Sequence, residues 1–223
     1  MKVDRRHALG VGAVAGLTLI SAKIATASPE TSSGGPTSEP QDAWLDKGGH
    51  RHRIVFDTTS ATGLGMGMNF ATNFFMANHE GYGIPKEDLS VVVIMRHMST
   101  SFAFDDAMWE KYGDYFVSHT EVFDPHTQAA PRINLYRTEF KDAHLPNGKA
   151  TLVALAQLGA RFAVCAMAVT NLAKSIAQST HGTVDTVLKE LEANLVPNSI
   201  VVPAGIVAVN RAQEHGYTFS YCG

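Results

Sequence analysis

Cysteine is the strongest nucleophile this chain offers, and it offers two, Cys165 and Cys222. Cys165 lies within the stretch LGARFAVCAMAVTNLAK, residues 158–174. Gly159 follows the helix-like run TLVALAQL where a glycine in the left-handed conformation usually closes a helix. The short apolar run 160–164 then reads as a buried parallel strand, and AMAVTNLAKSIAQ has helical spacing. Cys165 is therefore expected at the carboxyl end of a strand and the start of a helix. That edge is where open α/β sheets bind ligands. A thiol there feels the positive end of a helix dipole, which favours thiolate and so nucleophilic attack or metal binding. The plain alternative is an inert cysteine packed as a small hydrophobe.

Two further polar groups are expected at strand ends. The run LSVVVIM, residues 89–95, predicts a buried strand that passes straight into Arg96, His97, Met98, Ser99 and Thr100. HRIVFDTTS predicts a first strand over 53–57, followed by Thr58, Thr59 and Ser60. His97 is suited to supporting a thiolate and Arg96 to holding an anion. His97 is equally suited to a structural hydrogen bond, and Arg96 to pairing with a carboxylate. Thr58, Thr59, Ser60 and Met98 are candidate ligand-binding positions by the same placement. A pocket of Thr59, His97, Met98 and Cys165 would offer sulfur and imidazole donors that suit copper or zinc. No tight ligand pair supports a metal, and none is assigned; no cofactor is assigned either. Gly63, Gly65 and Gly67 lack the further glycine of a dinucleotide fingerprint and the lysine of a P-loop. They predict a permissive loop ahead of a helix that runs from Met66 and is closed by Gly81 and Gly83.

The elements that must position these residues follow from periodicity. Residues 105–112 predict a helix with acidic residues in its first turn. Residues 117–145 lack regular period and carry His119, His126 and His144, which predicts an insertion of functional or oligomeric role. Phe116, Phe123, Leu135 and Tyr136 have no evident place in a small core, and exposed apolar groups of that size point to a homo-oligomer. Asn147 is a candidate cap for the helix that ends at Gly159. Residues 183–195 form an amphipathic pattern, SIVV a further strand, 206–214 a short helix and 217–222 a last strand. Five strands alternating with helices imply a mostly parallel sheet covered on both faces.

The chain has 223 residues, 45% of them hydrophobic and 17% charged, which suits one folded domain with extensions. A net charge of −3 gives no basic excess, so nucleic acid is not an expected partner. Residues 1–27 have the order of an export signal. A charged start carrying Arg5 and Arg6 precedes an apolar, glycine-rich stretch and the cleavable triplet Ala25-Thr26-Ala27, leaving Ser28 first in the mature protein. The paired arginines resemble a bacterial twin-arginine signal, which implies a periplasmic or secreted protein without a stable membrane span after cleavage. Residues 28–48 are rich in Ser, Pro, Gly and Glu and are expected to be a flexible linker in which Trp44 and Leu45 alone are fit to dock. The domain follows from 49 to 223.

Taken together, VVVIMRH, GARFAVCAMAV, VVPAGI and the closing AQEHGYTFSY resemble the DsrE/DsrF-like family of sulfur-relay proteins over about residues 50–223. The resemblance implies a flavodoxin-like sheet, a homo-oligomer, and a cysteine matching Cys165 that carries persulfide sulfur between partners, either a donor or acceptor protein or a small sulfur compound. The export signal, the histidine-bearing insertion and Cys222 depart from the best-known members. The runner-up function is a non-catalytic module of the periplasm that binds a small ligand or a metal. A flavodoxin-like order, 2-1-3-4-5, would put one strand between those of Cys165 and Cys222, about 9–10 Å apart, too far for a disulfide.

Overall fold

The computed structural model describes residues 39–47, 51–141 and 145–223. The expected export signal and cleavage site, the first part of the expected linker and His144 lie outside the described residues.

Five strands form one sheet: β1 (His52–Thr58), β2 (Leu89–Met95), β3 (Arg161–Cys165), β4 (Ser199–Val202) and β5 (Thr218–Cys222). The helices are α1 (Ala61–Tyr82), α2 (Asp106–Thr120), α3 (Leu152–Leu158), α4 (Ala166–Thr180), α5 (Val184–Ala193) and α6 (Gly205–Glu214). All neighbouring strands pair in parallel, in the order β4-β3-β2-β1-β5. The α/β class and five-stranded parallel sheet are those expected; the strand order is not 2-1-3-4-5. The central place goes to β2, whose every residue is buried, as a strand covered on both faces requires.

The order also decides which face each helix covers. From β1 to β4 the chain steps across the sheet in one direction, and right-handed crossovers put α1 to α5 on one face. The step from β4 to β5 runs back across the sheet, so α6 takes the opposite face. Side chains alternate accordingly. Phe56, Val93, Met95, Phe162 and Val164 join the large core under α1 to α5. Val55, Val92, Ile94 and Ala163 join the smaller core with Ala208, Val209 and Ala212 of α6.

One helix is too little to cover that second face, and the linker supplies the rest. Pro40–Asp46 forms a 3-10 turn that buries Trp44 and Leu45 in the α6-side core. Arg161 Nη1 donates to the Trp44 carbonyl, and the Tyr217 hydroxyl donates to the Leu45 carbonyl at 2.7 Å. Asp46 meets Arg53 at 3.4 Å and His215 at 3.1 Å. The expected linker to residue 48 thus ends in a docked strap, because two large apolar side chains outweigh its polar composition.

Three other expectations change. The helix expected from Met66 begins at Ala61, where the Ser60 side chain accepts from the Gly63 amide. Gly63, Gly65 and Gly67 therefore lie inside α1. A Cβ on Gly63 would sit 2.4 Å from the Cys222 carbonyl oxygen, and one on Gly65 2.8 Å from Pro146. Glycine here permits close packing of a helix, not a loop. α2 runs on to Thr120 and carries Phe116, and the segment after it has little regular structure, yet Phe116, Leu135 and Tyr136 are all buried in the main core. Asn134 anchors the segment that carries Leu135 and Tyr136: its amide donates to the Phe102 and Phe104 carbonyls at 2.8 and 2.7 Å. Of the four residues expected at an interface, Phe123 alone is exposed, at 51%. Asn147 does not cap α3; Thr151 does, accepting from the Ala154 amide, and Asn147 donates to the Ala150 carbonyl.

Candidate functional site

The carboxyl edge of the sheet gathers the candidates. Met95 is in register with Thr58 on one side and Val164 on the other, so one residue later Arg96 flanks Cys165. Cys165 is in turn in register with Val202 of β4. Neighbouring strands lie about 4.8 Å apart. Asp57, Arg96, Cys165 and Tyr221 each stand one residue from a member of the α1-side core, namely Phe56, Met95, Val164 and Cys222. By alternation all four face the α6 side.

Asp57 fixes the guanidinium. It is 2% exposed and accepts from Arg96 Nε at 2.7 Å and from Nη2 at 2.8 Å. This forked geometry is the strong form of an Arg–carboxylate contact. The hydrogen bonds that Arg96 donates to Asp57 raise the Arg96 pKa, against the opposing effect of burial, and the charge of Asp57 adds to the rise. No protein acceptor meets Arg96 Nη1 among the described residues. The N-terminus of α6 presses on the same arginine: a Cβ on Gly205 would lie 2.7 Å from Arg96 Cβ.

Cys165 is 7% exposed and occupies the N-cap position of α4. Four helices have a side-chain cap, from Ser60, Asp105, Thr151 and Thr183. The two that do not, α4 and α6, begin at neighbouring strands β3 and β4. Their unpaired amide groups and dipoles face this edge of the sheet. The connection after β3 leads to one face and that after β4 to the other, which makes this the crevice where ligands bind in open sheets. Beside it a cleft of about 510 Å³ runs between β4, α6 and the strap, lined by Trp44, Ala166, Val202, Pro203, Val207 and Arg211 among others.

The remaining candidates disperse. Thr58 is buried; its hydroxyl donates to the Ile94 carbonyl at 2.7 Å and meets Ser99. Ser60 is the α1 cap. Thr59 Oγ1 lies 3.1 Å from the Tyr221 hydroxyl and so borders the site. His97 leaves the strand at a φ of 53° with its side chain exposed, and its carbonyl lies 3.2 Å from His119 Nε2. Met98 is exposed at the same edge. His126 stacks on Phe140 and meets the Lys141 carbonyl at 3.1 Å, a role within the loop. Among the described residues no group of three or more His, Cys, Asp or Glu is placed to hold a metal.

Cys222 faces away, packed behind Gly67 of α1, and burial pushes its thiol pKa up. Both cysteines are free. Two strands, β2 and β1, separate them rather than the expected β4.

Sequence reasoning singled out Cys165 and Arg96, which the fold makes neighbours. Asp57, Tyr221 and Gly205 were missed. The signal for Asp57 was present: a carboxylate ending an apolar strand needs a buried partner. No family model, curated protein or solved structure matches the chain.

Proposed function

We propose that this chain is an exported, DsrE-like protein that handles sulfane sulfur, with Cys165 as its persulfide carrier. The observation that supports this reading is the placement of the Cys165 thiol between the start of α4 and the Asp57-anchored Arg96. The helix dipole and the guanidinium both place positive potential beside the sulfur. They also favour an anionic sulfur species arriving beside it, and two uncapped helix N-termini add donors for its oxygens.

The chemistry is a sulfur transfer without net oxidation. The Cys165 thiolate attacks the outer sulfur of thiosulfate; an S–S bond forms at Cys165, the donor S–S bond breaks, and sulfite leaves with its electron pair. With polysulfide the leaving group is the chain shortened by one sulfur. Release to an acceptor thiolate reverses the step. Arg96 steadies the terminal persulfide anion, and Asp57 positions Arg96. Tyr221, held by Thr59, borders the same space.

The test is mass spectrometry of the purified mature protein after incubation with polysulfide or thiosulfate. One added sulfur on a Cys165 peptide, absent from Cys165→Ser, is expected. An unchanged mass with both donors overturns the reading. The second reading, a non-catalytic small-ligand module, is favoured by the cleft beside the site. A co-purified organic molecule in native mass spectra, with Cys165 inert, would establish it.

A further inference from the structure

We infer that the cleft along β4 and α6 receives the body of the sulfur donor, which makes the preferred substrates organic hydropersulfides with an apolar, non-anionic body. The inference rests on the sulfur-handling reading of Cys165 and adds the substrate class.

Position is the first support. Ala166, which follows Cys165 in the chain, and Val202, its register partner on β4, both line the cleft. A molecule seated there has one end beside the residues that flank Cys165. Size is the second. A space of about 510 Å³ falls in the range of roughly 300–1,000 Å³ typical of sites for small organic molecules. An inorganic sulfane anion would leave most of it as water against apolar walls. Those walls are the third support: Trp44, Val202, Pro203, Val207 and Ala208 offer aromatic and aliphatic surface.

Charge narrows the class. Among the described residues Arg211 is the one cation lining the cleft, and it is already engaged, with Nε 3.4 Å from Asp42 and Nη1 2.8 Å from Glu214. Glu39 adds a further carboxylate to the strap side. An anionic body would be repelled by these carboxylates, and a neutral or cationic one would not. The donor's anionic or nucleofugal end is served separately by Arg96. In the transfer the Cys165 thiolate attacks the outer sulfur of R–S–SH. Cys165–S–SH forms, the donor S–S bond breaks, and R–S⁻ leaves.

The test compares loading rates of the mature protein, by mass spectrometry, with three donors: para-aminomethylbenzyl hydropersulfide, para-carboxybenzyl hydropersulfide and inorganic polysulfide. The amino donor is expected to load several-fold faster than the carboxy donor. V207W, which fills the cleft from α6, is expected to change the ratio of amino-donor to polysulfide loading by about tenfold. Equal rates for the two benzyl donors in the unaltered protein overturn the inference, and this arm stands even where V207W fails to fold. A V207W ratio equal to that of the unaltered protein also overturns it. Loading by polysulfide alone sinks the substrate class and leaves the carrier reading intact; loading by no donor sinks both.

Discussion

Replacing Gly205 with alanine sets two opposite effects against each other, and the geometry decides the sign. On an unobstructed helix the change stabilises by about 0.5–1 kcal/mol, because it restricts the unfolded chain. At Gly205 the new Cβ would lie 2.7 Å from Arg96 Cβ, 2.9 Å from its Cδ and 3.2 Å from Ile94 Cγ2. The nearest of these is not the far end of a flexible side chain. Arg96 Cβ is fixed by the strand end, and its guanidinium is pinned by Asp57. Relief requires moving the start of α6 or swinging Arg96 away, and the second leaves a buried carboxylate unpaired. Overpacking of this kind costs about 1–3 kcal/mol, so the net expectation is a loss of about 1–2 kcal/mol. Urea denaturation of the protein measures it. Gly81→Ala is the control: nothing lies within 4 Å of its Cβ position, and it should gain about 0.5 kcal/mol. If Gly205→Ala matches that gain, the contact between α6 and Arg96 is not tight, and the account of how Arg96 is placed beside Cys165 fails.

Trp44→Ala should cost about 3 kcal/mol in the same assay, because it empties a buried site on the thinly covered face; a cost under about 1 kcal/mol would mean the strap contributes little. Two thiols should titrate in the unfolded, unreduced protein, and a linked Cys165–Cys222 peptide would contradict the strand order. In the folded protein, alkylation near pH 8 should leave Cys222 slow to react, since burial raises its pKa. Asp46 is held below the ordinary carboxylate range chiefly by its hydrogen bond with His215. Its contribution is therefore present above the unfolded value of 3.8 and lost as pH falls through the lower folded value. The stability gap between the unaltered protein and Asp46→Asn should be constant at neutral pH and close in acid; a gap that widens on acidification would refute the assignment.

What could be read from the sequence was what local pattern determines. Gly159, the apolar run after it and the small residues beyond Cys165 sufficed to place that thiol at a strand end, because each signal acts within a few residues. LSVVVIM announced a strand buried on both faces in the same way. The three glycines of α1 were misjudged because the atoms that require them, around Cys222 and Pro146, are distant in sequence. Phe116 was assigned outside the core because α2 runs past its expected end, and Leu135 and Tyr136 because they belong to no continuous period, although Asn134 anchors their segment through side-chain bonds to two carbonyls and the Tyr136 amide. Strand order was missed for a similar reason: each crossover is chosen by the whole sheet. Arg96 was found without Asp57 because the pair spans 39 residues.

The strap joins the beginning of the described domain to its far end. Leu45 accepts a hydrogen bond from Tyr217 across 172 residues, and Arg53, at the start of the sheet, donates to the carbonyl of His215. The strap, made before any strand of the sheet, has no seat until almost the last strand is in place. Folding of this face must then close late, since contacts so distant in sequence pay their loop entropy before any return. Strap, α6 and β5 should open as one unit in native-state hydrogen exchange. A cut at either end would loosen the other, and the wall of the cleft beside Cys165 would be unmade from a site more than a hundred residues away.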